Sequence, residues 1–300
     1  MKKLNSWIGA ARLRTLPLSI SGIIVGTTIA FQQGFFSISI FSLALGTTLG
    51  LQILSNFAND YGDGVKGTDN EDRIGPARAL QSGLITQKEM KQGIVLTAIV
   101  TLFLAVLLIY AAFGKENMGY ALIFFLLGVA AIVAAIKYTV GTSAYGYKGF
   151  GDVFVFLFFG IVAVYGTYFL YAHSMKWSVL LPACAFGLLS AGVLNLNNMR
   201  DRASDEKAGK ETLVVKMGQK GAKNYHYFLI IGAIACLVFY TVINLEALDD
   251  FLYLFGLIPL IFHLKRVDTN ESPGLLDPEL KILALSTFAI AVLFGFGQLL

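Results

Sequence analysis

The chain has 300 residues, 56% of them hydrophobic and 14% charged, and a net charge of +4. That is more apolar surface than a soluble fold can hide and too little charge for a disordered chain. The excess of positive charge does not mark a nucleic-acid binder, because the basic residues sit in a few loops and leave the apolar blocks almost empty. Blocks of about 18–20 apolar residues predict membrane-spanning helices. In chain order they fall at 16–32, 37–57, 93–113, 118–136, 152–172, 178–197, 227–245, 250–264 and 282–300. The expected architecture is all-α, a polytopic bundle of nine transmembrane helices forming one domain over 1–300. The first block reads as a retained span and not as a cleaved signal, since many more follow.

Nine spans place the termini on opposite sides. Of the 23 basic residues, all but Lys115 and Lys176 fall in the N-terminal tail or in the loops after the second, fourth, sixth and eighth spans. By the positive-inside rule this predicts a cytoplasmic N-terminus and an outer C-terminus. Cys184 and Cys236 both lie in apolar blocks and form no disulfide or zinc pattern. His173, His226 and His263 lie near span ends and read as interfacial residues.

Two long cytoplasmic loops, 58–92 and 198–226, carry the acids. The first runs from Asn56 through Asn59, Asp60, Asp63, Lys66, Asp69, Asp72 and Arg73 to Arg78; the second runs from Asn195 through Asn197, Asn198, Asp201, Asp205, Lys207 and Lys210 to Thr212. In each, asparagine precedes aspartate by four residues (Asn59 and Asp63; Asn197 and Asp201) at the inner end of an apolar helix. Spans 1–4 and 5–8 therefore read as two four-helix pseudo-repeats, with the ninth added. On a helix Asp60 and Asp63 share a face, as do Asp201 and Asp205.

Carboxylates gathered at a membrane rim repel one another unless a cation sits between them, and Mg2+, which shares its shell with waters and substrate phosphates, suits such a place. Interleaved cations such as Lys66, Arg78, Lys207 and Lys210 suit the outer phosphate oxygens. Acid and base together read as metal plus diphosphate. Gly62, Gly64 and Gly67 are expected to break the helix where the first loop must turn. Tyr138, Tyr145 and Tyr147 either face the reacting centre or belong to an interfacial aromatic belt. Lys148 and Asp152, in the Gly-rich stretch 141–151, stay undecided between substrate binding and structure.

With these motifs on the page, the chain resembles the UbiA superfamily of intramembrane prenyltransferases. That family's first motif is Asn-Asp-x-x-Asp-x-x-x-Asp; Asn59, Asp60 and Asp63 match its first half, Gly67 stands at the third aspartate, and Asp69 is the nearest acid. The second motif is matched in full from Asp201 to Thr212. The strings NDYGDGVKGTD, DRIGP, QSGLIT, YKGFGDVFVFLFFG and VLNLNNMRD resemble a branch whose acceptor is 1,4-dihydroxy-2-naphthoate.

The resemblance implies Mg2+-dependent transfer of an all-trans polyprenyl group from its diphosphate to that acceptor in a bacterial inner membrane. CO2 is lost and demethylmenaquinone is made. It implies metal ligands at Asp60, Asp63, Asp69, Asp201 and Asp205, with Asp63, Asp201 and Asp205 central to turnover. Substrate contacts are implied at Asn59, Lys66, Arg78, Asn197, Asn198, Lys207, Lys210 and Tyr138. The partners implied are polyprenyl diphosphate, the naphthoate and the lipid bilayer, with neither nucleic acid nor an obligate protein. Other acceptors (4-hydroxybenzoate, homogentisate) remain open, and so does a secondary transporter, although the acids sit at one rim and transporter sites lie near the midplane.

Overall fold

The computed structural model describes residues 2–68 and 78–300. Among them every regular element is helical. A short helix, α1 (Lys2–Ala11), leads into nine long ones: α2 (Leu16–Gln32), α3 (Ile38–Lys66), α4 (Gln87–Phe113), α5 (Met118–Lys137), α6 (Gly151–Ala172), α7 (Leu180–Lys207), α8 (Leu213–Ile243), α9 (Leu254–Thr269) and α10 (Leu276–Gly297). These nine correspond in order to the expected spans. Among the described residues, eight helical stretches are long and apolar enough to cross a bilayer. The ninth, α9, has 16 residues, about 24 Å of helix, and is short for a hydrocarbon core of about 30 Å.

Local sequence explains several helix ends. Ser37 accepts a hydrogen bond from the Ile40 amide, Thr86 and Glu89 form a reciprocal capping box, and Thr212 accepts from Val215. The structure corrects one expectation here. Neither Gly62 nor Gly64 breaks α3, which continues through Asn59, Asp60 and Asp63 to Lys66. Only Gly67 ends it, at φ 72°, in the left-handed region where a side chain is strained. Gly62 serves close approach: a Cβ there would lie 2.6 Å from Thr139 Oγ1 and 2.8 Å from the Thr139 carbonyl carbon. Likewise α7 continues to Lys207, so Asp201 and Asp205 are helical. Both acidic segments are thus the rigid ends of long helices, and they sit more firmly than loops would.

The core has two parts. The larger joins α2, α6, α7, α8, α9 and α10 through Ile29, Phe186, Leu189, Leu237, Tyr240 and Phe294, all buried. The smaller joins α1, α3 and α4 through Leu54, Phe57, Ala58 and Met90. There Trp7 of α1 packs edge-on against Phe57 with ring centroids 5.1 Å apart. Apolar side chains on α4 and α5, among them Leu96, Ile99, Phe103, Leu122 and Ile123, are exposed, as a lipid-facing surface requires. Within α6, residues Phe156–Gly166 are wound as π-helix, which is rare over such a length and recurs at functional sites.

Between these bodies lies a cavity of about 710 Å³.

Candidate active site

Apolar and aromatic side chains wall most of the cavity, including Leu18 and Ile23 of α2, Leu108 of α4, Phe124 of α5, and Phe154, Phe158 and Phe159 of α6. One end is polar. There the ends of α3 and α7 bring Asn59, Asp63, Asn197, Asn198, Asp201 and Asp205 to one lining, joined by Lys210, Arg78 and Tyr138. Helical spacing explains the match, since positions four apart face the same way. So the two acidic motifs, well over a hundred residues apart in the chain, meet across one cavity.

Each carboxylate has a partner of its own. Asp63 Oδ1 accepts a hydrogen bond from the Tyr147 hydroxyl at 2.7 Å, and that hydroxyl is also 2.7 Å from Thr68 Oγ1. Burial, and then the charge of Asp63, push the Tyr147 phenol's pKa upward, so it remains a neutral donor. The Lys66 ammonium lies 3.8 Å above the centre of the same ring and that of Lys210 lies 5.4 Å from it. Lys210 Nζ is 3.3 Å from Asp205 Oδ1. Burial alone would lower the pKa of Lys210, but Asp63 and Asp205 outweigh it and the net direction is up, which keeps the ammonium charged.

Asp201 is held most tightly. Arg200 Nε and Nη2 donate to its two oxygens at 2.8 and 2.7 Å, a bidentate fork. The same guanidinium donates to Asn197 Oδ1 at 2.9 Å and to Asp277 Oδ1, on α10, at 2.6 Å.

Not every predicted residue reaches the cavity. Asp60 is buried but is not part of the lining: its Oδ2 accepts the Ala79 amide at 3.1 Å, and Arg78 Nε lies 3.8 Å from Oδ1. These contacts join α3 to the chain at 78–79. Lys66 reaches the site through the Tyr147 ring, without lining the cavity, and Lys207 is exposed and outside the lining. Asp69 lies outside the described residues, as do Asp72 and Arg73. Asn59 accepts from Thr139 Oγ1 at 3.2 Å. Tyr138 packs edge-on against Tyr145, which stacks on Phe154, and all three line the cavity.

Sequence reasoning passed over several lining residues. Arg12 and Arg14 counted only as orientation charges, yet both line the cavity, as do Arg200, Asp277 and Lys281. Arg200 stands next to Asp201 and carried that much of a signal; Asp277 and Lys281 belong to no motif. The reading of His226 and His263 as interfacial is overturned. Both are 0% exposed, with Nε2 atoms 2.9 Å apart, and His263 Nδ1 is 2.6 Å from Glu279 Oε2, which Arg266 also binds. Helix packing buries the pair, and the network satisfies its polar atoms.

No group of three or more His, Cys, Asp or Glu side chains among the described residues is gathered tightly enough to hold a metal ion alone. The donor set nevertheless fits Mg2+. Asp205 Oδ2 is buried with no hydrogen-bond partner, and the acids facing the cavity offer only hard oxygen ligands. A site of this kind is completed by substrate phosphates.

The model of the UbiA prenyltransferase family matches residues 19–273. The chain is 40% identical over 297 residues to the 1,4-dihydroxy-2-naphthoate octaprenyltransferase of Escherichia coli K12, covering 99% of this chain and 96% of that one. It is 41% identical over 302 residues to the protein of the same name from Haemophilus influenzae, covering 100% and 97%. Its fold is similar to that of a UbiA homolog from Archaeoglobus fulgidus solved with DMAPP and Mg2+, with a TM-score of 0.62 and 19% identity over 94% of this chain and 98% of that one.

Proposed function

The chain belongs to the UbiA prenyltransferase family, and from that membership we propose that this multi-pass membrane enzyme moves a polyprenyl group from its diphosphate to 1,4-dihydroxy-2-naphthoate with loss of CO2. The observation that carries the reading is the polarity of the cavity. It gathers Asp63, Asp201, Asp205, Arg200 and Lys210, and most of the remaining lining is aliphatic and aromatic, with a few polar side chains such as Arg12, Arg14 and Gln52. A diphosphate with a long apolar tail has the same division.

In the reaction the bond between the allylic carbon and the diphosphate oxygen breaks, and its electron pair leaves with the diphosphate. The allylic carbon bonds to the ring carbon that carries the carboxylate. The carbon–carboxylate bond then breaks, and its electron pair restores the aromatic ring, giving the prenylated quinol and CO2. No strong base is required, which suits a cavity whose lining contains no histidine or cysteine.

Asp63 and Asp205 would hold Mg2+, joined by Asp201 once Arg200 turns to a phosphate, and the ion would supply charge neutralisation of the leaving group. Lys210 and Arg200 would supply donors to the outer phosphate oxygens. Tyr147 fixes the Asp63 carboxylate, while Tyr138, Tyr145 and Phe154 present ring faces or edges to the cavity, where a developing carbocation is stabilised and water is excluded. The hydroxyls and carboxylate of the acceptor find polar partners on the lining at Arg12, Arg14 and Gln52.

The test uses membranes containing the protein, a polyprenyl diphosphate, Mg2+ and carboxyl-labelled naphthoate. Labelled CO2 is expected in step with prenylated product. Product that retains the label, or transfer only to 4-hydroxybenzoate, overturns the choice of acceptor.

A further inference from the structure

Arg200 occupies an unusual position for a site that must hold a metal ion. Arg200 is 2% exposed and lines the cavity. Four of the five N–H groups that an arginine carries are used, two on the oxygens of Asp201, one on Asn197 and one on Asp277. The remaining N–H is on Nη1, the nitrogen that reaches Asp277. Asp201 therefore has both oxygens engaged, one each by Nε and Nη2, whereas Asp205 keeps Oδ2 buried and unpartnered. A divalent ion arriving alone meets one available carboxylate oxygen on α7 and a cation fixed on the next carboxylate.

We propose that Arg200 guards Asp201, so that the metal ion enters as a complex with the diphosphate and not by itself, and that Asp277 on α10 is the positioning residue that holds Arg200 when it leaves Asp201. The inference rests on the reading of this cavity as a diphosphate–metal site. A phosphate is the ligand that can draw the guanidinium away, because it matches the bidentate geometry of the carboxylate Arg200 gives up. Asp277 then matters in a specific way. It is the half-exposed partner of the fork, its side chain 40% exposed against 9% for Asp201. It keeps the buried cation compensated during the exchange, when an unpaired buried charge would be strongly destabilising. Glu279, two residues further along α10, ties that helix to α9 through His263 and Arg266.

The experiment measures Mn2+ binding to the detergent-solubilised full chain, alone and with geranyl diphosphate, by electron spin resonance of the free ion. Wild type is expected to bind the ion weakly alone and at least roughly tenfold more tightly with the diphosphate, within the usual range of coupling between ligands. Arg200→Gln is expected to tighten binding of the ion alone and to shrink that coupling.

Asp277→Asn moves the opposite way: Arg200 stays on Asp201, and the Mg2+ concentration for half-maximal turnover rises several-fold with the KM for the diphosphate at saturating Mg2+ little changed. A merely structural role would lower kcat without moving the metal dependence. Equal Mn2+ affinity with and without diphosphate in wild type overturns the proposal, and so does an unchanged metal requirement in Asp277→Asn. Should Arg200→Gln fail to fold, Asp277→Asn and the wild-type comparison decide. Coupled metal binding in a protein that transfers no prenyl group to the naphthoate would reject the proposed reaction and leave this inference standing.

Discussion

At the scale of single residues, the site is defined by how its charges are paired. Asp63, Asp201 and Asp205 were legible as a pattern, because aspartates at helical spacing among lysines and arginines have little reason to sit at a membrane rim unless they bind something. Their partners were less legible. Tyr147 was one of three tyrosines equally suited to an aromatic belt; only its 2.7 Å bond to Asp63 separates it from the others. Asp60, a metal ligand by its motif position, has its Oδ2 on the Ala79 amide, a contact that motif position does not reveal. Removing the Tyr147 hydroxyl leaves Asp63 without its directed donor while the ring stays under Lys66. Tyr147→Phe is therefore expected to lower kcat by roughly tenfold, the loss of one hydrogen bond to a charged group, with the KM for the naphthoate nearly unchanged. Steady-state kinetics in membranes measure both, and unaltered kcat would remove Tyr147 from the site.

At the scale of elements, the ends of α3 and α7 bring the acids to the cavity. The apolar blocks located both helices, but block boundaries stop where hydropathy falls, and hydropathy falls before the helix does. Hydropathy for that reason assigns the polar turns from Asn59 to Lys66 and from Asn198 to Lys207 to loops, whereas both are helical. Packing keeps them helical. The 138–150 segment docks against the end of α3 at Thr139, whose hydroxyl donates to the Ala58 carbonyl at 2.9 Å. Gly62 makes this contact possible, so its role is closeness and not flexibility. In Gly62→Ala the added methyl must displace Thr139, at an overpacking cost of about 1–3 kcal/mol. A lower Tm of the solubilised protein is expected, together with a raised KM for the diphosphate, since Asp63 lies one residue on. A variant with wild-type Tm and kinetics would show the contact to be slack.

At the scale of the whole molecule, charge asymmetry sets the expected orientation: N-terminus and acidic helix ends in the cytoplasm, C-terminus outside. Single cysteines introduced at exposed Lys207 and at exposed Met175, in a background without Cys184 and Cys236, report on opposite sides. An impermeant maleimide applied to intact cells should label position 175 and spare 207, and the reverse pattern would invert the topology. Composition and periodicity by themselves determined that the chain is an all-helical membrane bundle, roughly how many spans it has, and which two segments gather the acids. These are one-dimensional properties: burial in lipid requires long apolar runs, and acids cluster locally where they act. The tertiary structure alone decided which side chains face the cavity. Arg12, Arg14, Asp277 and Lys281 come to the cavity from the two ends of the chain, and His226 and His263, near span ends in sequence, are sealed between helices. The physical reason is that a helix shows its neighbours only one stripe of its surface, and which stripe faces inward depends on packing between segments far apart in the chain.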